Sequence, residues 1–230
     1  MVTNGGKQAQ PAAVLFSAGL DSAVLLARAA TEGRAHPVYV RAGLAWEAEE
    51  IAAAATLLEA APFAGIVEPM VTLTVDMRDV YPSHHWAVRG EAPGFDTPDQ
   101  DVYIDGRNVV LLAKASVYLV RAGLSRVLIG PLAGNPFPDA TPEFFTAMAR
   151  ALSLGLGAAL AIDAPLAAMT KADAIRLGSS LGVPFELTLS CMQPRDGRHC
   201  GRCSKCRERR DGFREAGIAD PTHYRDRPVR

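Results

Sequence analysis

The chain has 230 residues, of which 49% are hydrophobic and 21% are charged, and its formal net charge is −1. This length and composition predict one medium-sized domain with a true hydrophobic core, with room for a small addition. No apolar run is long enough to span a bilayer, and residues 1–10 lack the apolar segment of a signal peptide, which argues against membrane and secreted proteins. We therefore expect a cytoplasmic protein whose first ten residues are flexible.

Predicted strands and helices alternate along the first part of the chain. Apolar and alternating patterns predict strands at 12–16, 36–41 and 71–75, and alanine-rich stretches predict helices at 23–30 and 45–60. Residues 76–106 break the alternation with prolines, aromatic residues and the run His84-His85-Trp86. An irregular segment of this length inside a compact chain is more often functional than idle.

The alternation resumes after this segment. Helices are predicted at 108–122 and 143–154 and strands at 126–130 and 159–164, with a loop at 131–142. Thr170 is a predicted N-cap with Asp173 three residues later, which opens a helix that extends to residue 181. This order predicts the α/β class, with a parallel sheet covered on both faces and ligands beyond the carboxyl ends of its strands.

All four cysteines lie within sixteen positions, and they are Cys191, Cys200, Cys203 and Cys206. The spacing C-x8-C-x2-C-x2-C predicts a structural zinc site, because four thiolates can close a tetrahedral shell. A disulfide framework suits small secreted chains, and a redox pair needs only two cysteines, so both alternatives are less favoured. His199 is a possible substitute ligand, although four cysteines suffice.

The segment Ser17-Ala18-Gly19-Leu20-Asp21-Ser22 lies at the first predicted strand–helix junction. Small residues let the backbone approach an anion, Gly19 can adopt a positive φ at no steric cost, and the helix start attracts phosphate. Asp21 suits the helix dipole and is a candidate Mg²⁺ ligand. The chain lacks G-x-x-x-x-G-K-[ST], and no G-x-G-x-x-G follows the first strand. The alternative is an ordinary turn.

The segment resembles the S-G-G-x-D-S signature of the ATP pyrophosphatase superfamily, with Ala18 in place of the first glycine. The cysteine segment and its flanks resemble the 7-cyano-7-deazaguanine synthase (QueC) family of that superfamily. Further matches to this family are Gly106-Arg107-Asn108, Pro138-Asp139 with Pro142-Glu143-Phe144, Thr170-Lys171-Ala172-Asp173, Gly212-Phe213, and Gly217-Ile218 through Tyr224.

The resemblance implies a Rossmann-like ATP pyrophosphatase domain at 11–185, of the adenine nucleotide alpha hydrolase type, followed by a zinc-binding region at 186–230. It implies an enzyme that activates the carboxylate of 7-carboxy-7-deazaguanine with ATP and Mg²⁺ as an acyl-adenylate. Ammonia then gives an amide, and a second activation gives the nitrile for queuosine-type deazapurine biosynthesis. Structural zinc and a homodimer are also implied.

The resemblance further implies roles for individual residues. The ATP phosphates are expected to contact Ser17, Ala18, Gly19, Leu20, Asp21 and Ser22. Asp21, Arg107 and Lys171 are the expected catalytic residues, because cations there would neutralise charge on the transferred phosphate. Asn108 and Asp139 are the expected substrate-binding residues.

Several segments depart from the family pattern, and two of them leave alternatives open. The family's Y-G-Q-R-H is Gly43-Leu44-Ala45-Trp46-Glu47, and its P-D-C-R is Pro138-Asp139-Ala140-Thr141, which lacks the arginine. One alternative is a divergent relative that activates another carboxylate, or that amidates or modifies a small molecule, a protein or tRNA. A non-enzymatic alternative is a zinc-ribbon module that binds nucleic acid through the basic residues of 191–230. It is less favoured, because such modules also use aromatic residues and this segment has few.

Overall fold

A parallel β-sheet of five strands forms the centre of the protein. The computed structural model describes residues 11–226, so the predicted flexible start at 1–10 lies outside the described residues. The strands are β1 (Ala12–Leu15), β2 (Ala35–Arg41), β3 (Val71–Thr74), β4 (Arg126–Leu128) and β5 (Ala161–Asp163). Their order is β3-β2-β1-β4-β5, with β1 in the middle. The predicted α/β class with a parallel sheet is confirmed.

Helices connect the strands and cover the sheet. They are α1 (Leu20–Glu32), α2 (Glu47–Leu58), α3 (Trp86–Arg89), α4 (Arg107–Arg121), α5 (Pro142–Leu156), α6 (Lys171–Ser180) and α7 (Ser204–Ala216). Short 3₁₀ helices lie at Asp99–Val102, Pro138–Ala140 and Phe185–Leu187. Within residues 11–226, no helix combines the length and apolar character that a membrane crossing requires.

Hydrophobic residues pack on both faces of the sheet, as buried parallel strands require. Alternate side chains of β1 point to opposite faces, so Val14 joins a core built with α1 and α6, whereas Ala13 joins a core built with α4 and α5. Phe213 of α7 belongs to the first of these cores. The C-terminal helix is thus packed directly onto the α/β layers.

The irregular segment at 76–106 packs against the cysteine region. Trp46 and Val102 share a buried cluster with all four cysteines. Arg207 of α7 donates hydrogen bonds to the carbonyl oxygens of Phe95 (2.7 Å) and Thr97 (3.2 Å). These contacts fix the long segment, including α3 and one 3₁₀ helix, against the C-terminal helix.

A capping box fixes the beginning of α6. The Thr170 hydroxyl accepts a hydrogen bond from the Asp173 amide at 3.1 Å, and the Asp173 carboxylate accepts one from the Thr170 amide at 3.2 Å. The N-cap predicted from the sequence is confirmed, and Asp serves where Glu is more usual. Lys171 is consequently held as the first residue of the helix.

Candidate active site

A cavity of about 300 Å³ lies at the carboxyl ends of β1, β2 and β4. Its walls include Ser17 after β1, Ala42 after β2 and Gly130 after β4. The strand order changes direction at β1, because β2 lies on one side of it and β4 on the other. Ligands bind at such a switch point in open α/β folds. Residues from α2, α4, α6 and α7 complete the walls.

The turn between β1 and α1 has its left-handed residue at Ala18 and not at Gly19. Ala18 has the positive φ of 58°, whereas Gly19 is extended, with φ −65° and ψ 156°. Gly19 could adopt a positive φ at no steric cost, but the turn does not use that freedom. Gly19 is the N-cap of α1, a position that requires extended backbone, so the chain turns one residue earlier. Ala18 bears a left-handed conformation that costs an L-residue about 1–2 kcal/mol.

Hydroxyl groups organise this turn, while the first helical amides face a ligand site. Ser22 Oγ accepts from the Ser17 amide at 3.2 Å and donates to the Gly19 carbonyl at 3.0 Å. Gly19 has no side chain to cap α1. Since Gly19, Leu20, Asp21 and Ser22 line the cavity, the helix start presents the amide groups and dipole that favour an anion.

An alternating chain of charges crosses one wall of the cavity. Lys171 Nζ lies 2.6 Å from Asp21 Oδ2 and 2.7 Å from Glu208 Oε1, and Lys205 Nζ lies 2.6 Å from Glu208 Oε2. Burial lowers the pKa of Lys171, but the carboxylates of Asp21 and Glu208 outweigh it and raise the pKa above its usual range. Lys171 is therefore a fixed cation beside the turn, and the structure brings together two of the predicted catalytic residues.

Arg107 and Asn108 begin α4 at the opposite wall of the cavity. Arg107 Nε is buried and has no hydrogen-bond partner among residues 11–226. Asn108 donates from its amide nitrogen to Asp139 Oδ2 at 2.9 Å and from Nδ2 to the Asp139 carbonyl at 3.0 Å. Asp139 is not among the described residues that line the cavity, and in this structure it caps α4. Arg107 and Asn108 both line the cavity.

A buried acidic pair lies deeper in the cavity wall. Tyr39 donates its hydroxyl hydrogen to Glu50 Oε2 at 2.7 Å, and Glu50 is 8% exposed. Burial raises the pKa of Glu50 to about 7, although the guanidinium of Arg107 opposes the change. Burial, followed by the charge of Glu50, raises the pKa of Tyr39 above its usual range.

The four cysteines form a buried cluster beside this cavity. All four sulfur atoms lie within 4.8 Å of one another, and the cysteines are free of disulfides. The sulfur–sulfur distances are 3.5 Å for Cys203–Cys206, 3.9 Å for Cys200–Cys206 and 4.0 Å for Cys191–Cys203. A tetrahedron with Zn–S bonds of about 2.3 Å has sulfur separations of about 3.8 Å. The arrangement fits a closed tetrathiolate zinc site.

Backbone amides and His199 support this cluster from outside. The Cys200 amide donates to Cys191 Sγ at 3.2 Å, and the Arg202 amide donates to Cys200 Sγ at 3.3 Å. His199 Nε2 accepts from the Ser190 amide at 3.1 Å, and burial, followed by the charge of Arg209, lowers the pKa of His199 to about 3. His199 is thus a neutral neighbour whose Nε2 is already engaged.

Buried Arg209 links the cysteine region to the β1–α1 turn. It is 1% exposed and donates to four oxygen acceptors, which belong to Phe185, Thr188, Ser190 and Thr222. Ser190 Oγ in turn accepts from the Leu20 amide at 3.4 Å. The Leu189 amide also donates to the Ala18 carbonyl at 2.8 Å. The segment before the cysteines therefore braces the turn directly.

Several residues of the cavity were missed by reasoning from the sequence. Lys205, Glu208 and Arg209 come from the predicted zinc region, and Tyr39 and Glu50 come from a predicted strand and helix. Glu50 is buried although its residue type is usual on the solvent-facing side of a helix. No local motif marks these residues, because tertiary packing alone brings them to the cavity.

A family model and two related proteins point to the same family over most of the chain. A family model described as queuosine biosynthesis protein QueC matches residues 11–217. A 7-cyano-7-deazaguanine synthase from Anaeromyxobacter dehalogenans is 37% identical, and the alignment covers 94% of this chain and 97% of that protein. A 7-cyano-7-deazaguanine synthase from Thiobacillus denitrificans is 39% identical, with 93% and 97% covered. Among solved structures, a 4-thiouridine synthetase–RNA complex with bound ATP aligns at 15% identity over 90% of this chain and 50% of that chain, with a TM-score of 0.49.

Proposed function

The chain belongs to the queuosine biosynthesis protein QueC family, and we propose that it is a 7-cyano-7-deazaguanine synthase that uses ATP and ammonia. One observation carries the proposal: the β1–α1 turn, Lys171 and Arg107 face one cavity at the carboxyl ends of the strands. An anion-binding turn flanked by two cations is the arrangement that adenylate transfer from ATP requires.

In the first proposed step, 7-carboxy-7-deazaguanine is activated. A carboxylate oxygen attacks the α-phosphorus of ATP, the bond to the leaving oxygen breaks, and pyrophosphate departs. The amides at the start of α1 bind the phosphates, while Lys171 and Arg107 neutralise the charge that develops on the α-phosphate and the leaving group. Asp21 orients Lys171 through the 2.6 Å contact and is the residue that would hold Mg²⁺.

Ammonia then attacks the acyl carbon, AMP leaves, and the product is the amide with release of one proton. In a second activation the amide oxygen attacks the α-phosphorus of another ATP and pyrophosphate departs, and loss of AMP and of the two amide protons leaves the nitrile. The stacked indoles of Trp46 and Trp86, whose centroids are 5.6 Å apart, line the cavity and offer a flat apolar wall to a planar deazapurine. Asn108 supplies a polar group on the same cavity.

Zinc has a structural role in this proposal. Cys191, Cys200, Cys203 and Cys206 would hold it as four thiolates, which leaves no open position for substrate. When bound, the ion fixes the segment that carries Met192 and the start of α7 against the cavity. The homodimer stays a prediction from the family resemblance.

The test is to incubate the zinc-loaded protein with ATP, Mg²⁺, ammonium and 7-carboxy-7-deazaguanine, and to follow AMP, pyrophosphate and product mass. We expect AMP formation that requires the deazapurine, and a product with the mass of the nitrile. A Ser17→Ala/Asp21→Ala variant is expected to lose most of the AMP formation. Absence of substrate-dependent AMP from the zinc-loaded protein would contradict the proposal, and full activity of the double variant would contradict the role of the turn.

A further inference from the structure

Helix α7 contacts Lys171 at two points that are one helical turn apart. Glu208 Oε1 accepts a hydrogen bond from the Lys171 ammonium group at 2.7 Å. Four residues later, Gly212 lies against the aliphatic part of the same side chain, because a Cβ added at Gly212 would stand 2.4 Å from Lys171 Cγ. Residues four apart share one face of a helix, so a single face of α7 contacts both the stem and the charged end of Lys171.

These two contacts decide where the ammonium group can lie. The Lys171 side chain is only 16% exposed, and a cation this buried needs oppositely charged partners close by. Asp21 and Glu208 approach it from different helices, α1 and α7. If Asp21 also serves a Mg²⁺ ion, Glu208 is the partner that keeps the ammonium group beside the β1–α1 turn.

The same helix begins inside the cysteine cluster. Cys203 is its N-cap and Cys206 lies in its first turn. Glu208 lies half a turn beyond Cys206, so anything that fixes these cysteines also fixes the carboxylate that contacts Lys171. By contrast, Asp211 on α7 pairs with Arg214 at 2.9 Å, and the Arg214 side chain is 68% exposed, as in an ordinary surface ion pair.

We propose that Glu208 and Gly212 are positioning residues for Lys171, and that through them the cysteine-anchored helix α7 sets the geometry of adenylate transfer. The inference rests on the proposed function, because it assigns Lys171 to the charge that develops during that transfer. The cysteine region then has a second role besides folding, because it keeps the Lys171 ammonium group beside the phosphate-binding turn.

The first test replaces Glu208 with an uncharged residue of the same size. In Glu208→Gln, we expect kcat for AMP formation to fall roughly tenfold or more, because losing a hydrogen bond to a charged group changes an equilibrium by at least that factor. KM for ATP should change much less, since Lys171 is assigned to charge that develops only in the transition state. Glu208→Asp should retain more activity than Glu208→Gln, and Asp211→Asn on the same helix should retain full activity.

The second test fills the space beside the lysine stem. Gly212→Ala improves helix propensity, but its methyl group would displace Lys171, so we expect kcat to fall. Gly155→Ala in α5 is the matched control, because a Cβ there meets nothing within 4 Å. Unchanged kcat in both Gly212→Ala and Glu208→Gln would overturn the proposal.

A third measurement needs no substrate. The chain has four lysines, Lys7, Lys114, Lys171 and Lys205, so the side-chain ammonium signals of ¹⁵N-lysine-labelled protein can be assigned by single substitutions. Faster proton exchange at Lys171 in Glu208→Gln than in the wild-type protein supports the positioning contact, even if the wild-type protein forms no AMP and the proposed function fails. Unchanged exchange would contradict the contact, whatever reaction the enzyme catalyses.

Discussion

Replacing Glu50 with glutamine should stabilise the protein at alkaline pH. Glu50 is 8% exposed, and its pKa is raised from 4.5 to about 7, mainly by burial. A carboxyl group whose pKa is raised by folding binds its proton more tightly in the folded state. Its contribution to the free energy of unfolding is therefore complete below pH 4.5 and is lost as the pH rises through about 7.

The magnitude follows from the two pKa values of Glu50. A difference of about 2.5 units corresponds to about 3 kcal/mol at pH values above both, because each unit is worth about 1.4 kcal/mol. Most of this loss, about 2 to 3 kcal/mol, falls between pH 5 and pH 8. Glutamine does not titrate, and the Tyr39 hydroxyl can still donate to its side-chain oxygen. The difference in stability between Glu50→Gln and wild type should therefore shift by about 2 to 3 kcal/mol in favour of the variant.

The assay is urea unfolding of zinc-loaded wild-type and variant proteins at pH 5 and pH 8. Comparing the two differences cancels any constant packing effect of the amide and any pH effect on other groups. Glu59→Gln is the control, because Glu59 lies exposed at the other end of α2, and its difference from wild type should stay within about 0.5 kcal/mol at both pH values. If the Glu50→Gln difference is the same at pH 5 and pH 8, Glu50 is ionised in the fold and the reasoning is refuted.

Two further substitutions probe the C-terminal region. Cys203→Ser should lower both the bound zinc, measured by mass spectrometry, and the thermal midpoint of unfolding, because the binding energy of a structural zinc ion contributes to folding. A normal zinc content in the variant would contradict the site. Arg209→Met should destabilise the protein by about 3 kcal/mol in urea unfolding, because it leaves buried hydrogen-bond acceptors without a donor. The control Arg214→Met, on the exposed side of α7, should change the free energy of unfolding by no more than about 0.5 kcal/mol. A loss below about 1 kcal/mol for Arg209→Met would show that the hydroxyl acceptors find other partners.

Parts of the candidate site could be predicted from the sequence where they depend on neighbouring residues. The β1–α1 turn, the cysteine cluster and the capping box of α6 each depend on residues that are close together in the chain, and each could be predicted. The sequence did not show which of two adjacent small residues, Ala18 or Gly19, adopts the positive φ of the turn. Their dihedral angles depend on where α1 begins. The helix is predicted from residue 23 but begins at Leu20, and this shift of three residues makes Gly19 the N-cap and leaves the turn to Ala18.

Contacts that are distant in sequence could not be predicted in the same way. Asp21 and Lys171 were each expected in the site, but their pairing joins residues 150 positions apart. Glu208 resembles any charged residue of an amphipathic helix until α7 is packed against α6. The sequence therefore identifies the charged side chains, whereas the packing of α7 against α6 decides that Glu208 contacts Lys171.

The balance of charge in the cavity bears on how a polyanion would enter it. Four cations and four carboxylates line the cavity, namely Arg107, Lys171, Lys205, Arg209, Asp21, Glu47, Glu50 and Glu208. Lys171 and Lys205 already contact carboxylates, so a phosphate that approaches either must compete with an existing partner. Arg107 Nε has no such partner among the described residues. Because an unpartnered buried donor gains most from a new acceptor, Arg107 is the cation that an incoming phosphate should contact first, and Lys171 should engage as charge develops during transfer.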